Sequence, residues 1–340
     1  LKAHTRKVPF GIPIGSICAP SPSLVCPWTW RMPVRLLARE WYLLLAGMTI
    51  AYSSVWFFGL NSSMPPIAPY KPDKEVHALP ETKYTLSLNQ SFDFMEEPDE
   101  QWHLREKIHA DQLKLQNTHL KDCVDCNGHA FWQIHYEPSF SCAFQRRIGP
   151  IGDGGKWLCD PHRIAAEARS SGSCLVYSIG SNGEYGFEKA VHENVSEHCE
   201  IHTFDADPWQ HYTEVAPPGY VAYHVAGIGP RPLSRLIRDL GHANRTIDIF
   251  KIDCESCELH TYEDWFASGV FIRQILVEVH GPGGWGGSAA QIHAFFRFLF
   301  RMGYVIFHKE PNTLANNFQE GGFFVEFALL RLRDDFGRVD

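Results

Sequence analysis

The stretch Cys174-Leu175-Val176-Tyr177-Ser178-Ile179-Gly180-Ser181-Asn182-Gly183-Glu184-Tyr185-Gly186 decides how this chain is read. A short apolar run ends in three glycines at three-residue spacing, Gly180, Gly183 and Gly186. Phe187, Ala190, Val191 and Val195 then recur at helical spacing. A second apolar run, Ile201 to Phe204, closes on Asp205. The reading is strand, tight glycine turn, helix, strand, acid. Such a turn lets a cofactor approach the backbone at the carboxyl edge of a parallel sheet. An acid closing the next strand can accept hydrogen bonds from ribose hydroxyls. An ordinary βαβ unit with a glycine turn is the alternative.

Downstream, the pattern continues the same sheet. Tyr220–Val225 reads as a third strand, and Leu233, Leu236, Ile237 and Leu240 mark a helix closed by Gly241. Thr246–Asp253 reads as a fourth strand running into Lys251-Ile252-Asp253-Cys254-Glu255-Ser256-Cys257-Glu258. Four ionisable groups at the end of an apolar strand point to a site at the sheet edge. Ile272–Val279 reads as a fifth strand ending in Glu278-Val279-His280, whose alternation puts Glu278 and His280 on one side. If the fourth and fifth strands are neighbours, Asp253 and His280 lie close together. Ser288 is placed to cap a helix carrying Ile292, Phe295, Phe296 and Leu299. Tyr304–His308 and Phe323–Leu332 complete the strands.

Upstream, Arg147 to Asp160 contains Gly152, Gly154, Gly155 and Lys156. It reads either as a surface turn or as a loop folding over a cofactor, with Lys156 near a carboxylate. Cys123-x-x-Cys126, with His129 and His135 nearby, has zinc-site spacing, although a disulfide or unlinked cysteines suit it better.

Trp41 to Leu60 carries no charge and is long enough to span a bilayer. Arg31, Arg35 and Arg39 precede it, and acidic residues including Asp73, Glu75 and Glu81 follow. That charge order favours a single-pass signal anchor with a translocated C-terminal domain. A cleaved signal peptide and a buried helix are the alternatives. The expected organisation is a cytoplasmic segment 1–40, an anchor 41–60, a Pro- and Ser-rich stem with a possible helix over 61–121, and a catalytic-type domain over 122–340. The sequons at Asn89, Asn194 and Asn244, and eight of the ten cysteines lying after the anchor, suit the lumen of the endoplasmic reticulum or Golgi, or the cell exterior. A net charge of -8 without a long basic run argues against nucleic acid as a partner.

Residues from about 142 to 332 resemble the S-adenosylmethionine-dependent methyltransferases of the seven-stranded class. More narrowly, they are similar to the FkbM-type and eukaryotic methyltransferase-like proteins. The likeness rests on Val176 to Gly183, on Phe204-Asp205, on Lys251-Ile252-Asp253-x-Glu255-x-x-Glu258, and on Gly152 to Trp157. It implies a Rossmann-like α/β sheet of six parallel strands and one antiparallel strand. It also implies S-adenosyl-L-methionine as cofactor, held by Gly180, Ser181, Gly183, Asp205, Asp253 and Lys156. His280 is the expected general base for an oxygen acceptor, a glycan or small metabolite, with Asp253 next. No metal is assigned, although Asp253, Glu278 and His280 offer suitable ligand atoms. The sequence departs from the usual pattern at Ser256, where relatives often carry Gly. Two other readings compete: a non-catalytic methyltransferase-like binding module, and an NAD-dependent oxidoreductase.

Overall fold

The computed structural model describes residues 82–119, 128–283, 286–313 and 323–337. The expected anchor at 41–60 and the Cys123-x-x-Cys126 pair lie outside them. Among the described residues, no helix is long and apolar enough to cross a membrane.

The strand signals of the sequence become one seven-stranded sheet. Its members are β3 (Leu175–Ile179), β4 (Glu200–Asp205), β5 (Val221–Val225), β6 (Thr246–Ile252), β7 (Phe271–His280), β8 (Tyr304–Pro311) and β9 (Phe324–Arg331), in the order β5-β4-β3-β6-β7-β9-β8. Pairings from β5 through β7 are parallel, and β9 runs antiparallel to both of its neighbours. Six strands therefore share one direction and β9 opposes them. The order reverses between β3 and β6, and such a switch point opens a crevice beyond the carboxyl ends of those strands. Strand β3 is buried along its whole length, because helices cover both faces of a sheet of this kind.

Two apolar cores fill the two faces. One packs Tyr177, Phe204, Phe250, Ile275 and Phe327 against α3 (His129–Ile134), α6 (Leu233–Asp239), α7 (Glu258–Thr261) and α8 (Ala289–Arg301). Ser288 caps α8 as expected: its hydroxyl accepts from the Gln291 N–H, and Gln291 Oε1 accepts from the Ser288 N–H. The other core packs Val176, Ile249 and Leu330 against α4 (Pro161–Ser171) and α5 (Gly186–Asn194).

The sequence reading differs from the structure in two places. Residues 85–98, assigned to a flexible stem, contain the short helix α1 (Thr85–Gln90), and Phe94 and Met95 are core residues. The long helix α2 (Asp99–His119) follows, anchored by a fully buried Trp102 whose indole donates to Gln90 Oε1 at 2.5 Å. The helix expected in this region is present, whereas sparse apolar residues conceal the packed role of residues 85–98, which fold on borrowed contacts rather than on a face of their own. The second difference is a hairpin. Strands β1 (Gln145–Ile148) and β2 (Lys156–Cys159) pair antiparallel around the glycine loop. The Gln274 amide clamps the end of β2 to β7, accepting from the Cys159 N–H at 2.8 Å and donating to its carbonyl at 2.9 Å.

Disulfides join Cys142 to Cys159, Cys174 to Cys199, and Cys254 to Cys257. The first ties the segment before β1 to the end of β2. The second ties the entry of β3 to the entry of β4.

Candidate active site

The crevice at the switch point has a volume of about 610 Å³, within the usual range for a cofactor site. Gly180, at the end of β3, sits at φ +75°, where side chains are disfavoured. A Cβ added there would lie 1.7 Å from the Asp253 carbonyl oxygen. Glycine at this position therefore lets the β3 and β6 turns touch backbone to backbone. The Lys251 ammonium completes that contact by donating to the Gly180 carbonyl.

Asp205, at the end of β4, organises the glycine turn. Its Oδ2 accepts from the backbone N–H groups of Ser181 at 2.8 Å and Asn182 at 3.0 Å, and from the Ser181 hydroxyl at 3.1 Å. Its Oδ1 accepts from the Tyr212 hydroxyl at 2.9 Å. Burial opposes its charge, but these donors win and hold its pKa below the ordinary carboxylate value. Tyr212 went unnoticed in the sequence because it lies in an irregular segment after β4, with no periodic signal.

At the other end of the crevice, four elements converge. Lys156, the first residue of β2, is only 1% exposed. Its ammonium donates to Asp253 Oδ2 at 3.1 Å and to Glu326 Oε1. The expectation that Lys156 meets the cofactor needs correcting, because its charge is engaged inside the protein. The loop before it does line the crevice, through Pro150, Asp153 and Gly154. Burial pulls the Lys156 pKa down, but the carboxyl groups of Asp253, Glu326 and Glu278 more than offset that and keep it charged.

The reason for a buried lysine here is the register of the sheet. Glu278 on β7 lies opposite Glu326 on β9, which in turn lies opposite Glu310 on β8. Like charges directly opposite one another destabilise a sheet. Arg147 and the Trp157 indole satisfy Glu310, and Lys156 pairs with Glu326 through Oε1, whose Oε2 is buried without a hydrogen-bond partner. Glu278 resolves the conflict by staying protonated. Burial, then the nearby charges of Asp253 and Glu326, push its pKa up to about 10. It hydrogen-bonds Asp253, and its Oε1 accepts from the Asn312 amide at 2.8 Å. Asp253 itself is held well below the usual carboxylate range: burial opposes its ionisation, but Lys156 and Lys251 overcome that opposition.

His280 lies beside Asp253, as neighbouring strands required. Asp253, Glu278 and His280 each bring a polar atom within 4.8 Å of the others. The imidazole Nδ1 is 3.0 Å from Glu258 Oε1, which also accepts from the His280 backbone N–H at 3.0 Å. Its Nε2 lies 3.6 Å from Glu255 and 3.7 Å from Glu278. His280 lines the crevice floor with only 1% of its surface exposed. Burial opposes protonation of the imidazole, but the hydrogen bond and charge of Glu258 outweigh it and raise its pKa.

The turn after β6 explains why glycine suits position 256. Glu255 and Ser256 both adopt positive φ, +56° and +78°, between the bridged Cys254 and Cys257. The Ser256 hydroxyl is buried without a hydrogen-bond partner. Ser256→Gly is expected to stabilise the domain by about 1 kcal/mol, since a left-handed non-glycine residue costs roughly that much. A rise in the chemical denaturation midpoint checks it, and a fall contradicts the strain argument.

The crevice fits S-adenosylmethionine. Ala226 and Ile228 give it an apolar wall, the Gly180 turn brings backbone close, and Asp205 stands at the end of the second central strand. The sheet order, the glycine turn and the acid together define a nucleotide-type crevice of the methyltransferase class. The family model described as "Methyltransferase domain" matches residues 85–325, and the chain belongs to that family; its cofactor is S-adenosylmethionine. The narrower FkbM-type likeness rests on the motifs. No curated protein sequence matches significantly. Among solved structures, the chain resembles a putative O-methyltransferase from Klebsiella pneumoniae, at 14% identity and a TM-score of 0.34, covering 54% of this chain and 84% of that one. It also resembles human methyltransferase-like protein 13 in complex with S-adenosylhomocysteine, at 12% identity and a TM-score of 0.32, covering 51% and 78%. These likenesses are remote, and the assignment rests on the family match.

Proposed function

We propose that this chain O-methylates a hydroxyl or carboxyl group of a glycan or small metabolite of the secretory pathway. The observation that carries the reading is the set of proton acceptors beyond the Gly180 turn. Asp253, Glu255 and His280 line the crevice where the transferred methyl group must emerge. A hydroxyl acceptor must lose a proton during transfer, and this end of the crevice can receive one. The bound cofactor supplies the electrophilic methyl group. Asp205 and the Gly180 backbone hold its nucleoside end, and Asp253 its positively charged end.

The charges divide the remaining work. Asp253 is too weak a base near neutral pH, because its pKa is depressed. His280, oriented by Glu258 and lining the crevice, serves as the base. A base acts when deprotonated, and the His280 pKa is raised above 6.5. The rate should therefore climb with pH along a limb whose midpoint lies above 6.5. His280→Ala should lower turnover by about a hundredfold and abolish that limb. Near-normal turnover with an unchanged profile would remove the imidazole from the chemistry.

The compartment rests on separate support. Three disulfides suit an oxidising lumen, and Asn89, Asn194 and Asn244 are exposed. The deciding experiment is calorimetric titration of S-adenosylmethionine into the folded protein, with Asp205→Ala as control. Saturable binding lost in the control supports the reading and justifies a screen of glycan acceptors with radiolabelled methyl donor. A folded protein that binds none is a binding module instead.

A further inference from the structure

A second constellation of ligating side chains lies at the opposite end of the sheet. Glu200 opens β4, and Asp205, which holds the glycine turn, closes it about 16 Å away along the strand. Glu200 and His202 are two residues apart and share a face. The register places Tyr177 on β3 beside His202, and His224 on the edge strand β5 beside Phe204. His242, in the connection between α6 and β6, reaches over the same face.

Their atoms converge on one point. Glu200 Oε1 lies 2.8 Å from His202 Nε2 and 3.3 Å from His242 Nε2. Ligands around a tetrahedral zinc ion with bonds of about 2.0–2.1 Å are separated by roughly 3.3 Å. The outer nitrogens are already oriented. His242 Nδ1 is 2.8 Å from the Tyr177 hydroxyl, and His202 Nδ1 shares a 2.9 Å hydrogen bond with His224 Nε2. Metal-binding histidines use their second nitrogen in this way, which fixes the ring and the tautomer. Both imidazoles are buried while Glu200 is exposed, so a fourth position faces solvent. Arg245, the nearest opposing charge, contacts the other carboxylate oxygen of Glu200, leaving Oε1 to the histidines.

We propose that Glu200, His202 and His242 bind a divalent cation of the zinc class, tying the start of β4, one strand in from the edge of the sheet, to the loop that enters β6. Two imidazoles and one carboxylate match a borderline cation such as zinc rather than magnesium or calcium, which prefer all-oxygen sites. The site is independent of the transfer reaction and stands or falls apart from it.

The test uses the full-length chain after chelator treatment. Zinc is titrated by calorimetry, and cobalt is added separately to read its visible ligand-field spectrum. Wild type should take up one zinc ion at this site, gain thermal stability, and give a tetrahedral-type cobalt spectrum. His242→Ala and the milder Glu200→Gln should each weaken that binding by about tenfold or more, with the fold checked by circular dichroism. Failure of folded wild type to bind zinc overturns the proposal. So does affinity unchanged in both variants but lost in Asp253→Asn, which would put the cation at the cofactor end.

Discussion

Replacing Lys156 with methionine is expected to destabilise the domain by about 3–5 kcal/mol, the cost of removing one partner from a buried ion pair. The ammonium is buried between Asp253 and Glu326, and Glu326 also faces Glu278 across the sheet. Without the cation, three carboxyl groups share one dry site. The chain must then protonate them or admit water. Unfolding in denaturant reads the loss directly. The double variant Lys156→Met/Glu326→Gln should recover a large part of it, because the uncompensated charge has gone. Equal loss in single and double variants would show that the lysine acts through packing, not charge. Cofactor affinity should fall as well, since Lys156 sets both the position and the charge of Asp253.

Gly180→Ala should weaken S-adenosylmethionine binding by at least about a hundredfold while leaving much of the secondary structure intact. The added methyl group would overlap the Asp253 carbonyl, so the β3 and β6 turns must separate by more than an ångström. Displacement on that scale pulls the turn away from the cofactor, and at a reacting centre it also costs about a hundredfold in rate. Positive φ adds a penalty of about 1 kcal/mol or more. Gly154→Ala is the internal comparison. Gly154 also has positive φ, but a Cβ there meets nothing within 4 Å. It should lose stability slightly and keep its affinity. Similar calorimetric affinities for both variants would refute the close-approach argument.

Most of the sheet was legible because its strands are buried runs bounded by turn residues. Runs such as Leu175–Ile179 leave little ambiguity about period, and the glycines after them mark the turn. Asp205, Asp253 and His280 were legible for the same reason: each sits where a strand runs out. Lys156, however, was misplaced toward the cofactor. Its sequence neighbours are glycines, and nothing local indicates that a hairpin folds it under the sheet. Glu326 and Glu278 could be seen in their strands, but their opposition depends on β9 pairing antiparallel to β7. Glu258 stood in the motif after the fourth strand, but its grip on His280 depends on the fold, and Tyr212 reaches Asp205 from a segment with no periodic signal.

Local chemistry thus determined the strand order's raw material, the glycine turn, the acid that steadies it and the family. Those features depend on spacing and on backbone freedom, which neighbours in the chain set between themselves. Tertiary structure alone decided which charges survive burial. Whether Glu278 is protonated, which way the His280 pKa moves, and where Lys156 spends its cation are set by groups from β2, β7, β9 and the segment after β6 meeting in a space that excludes water. Electrostatic energy depends on distance and desolvation, and both exist only once the chain has folded.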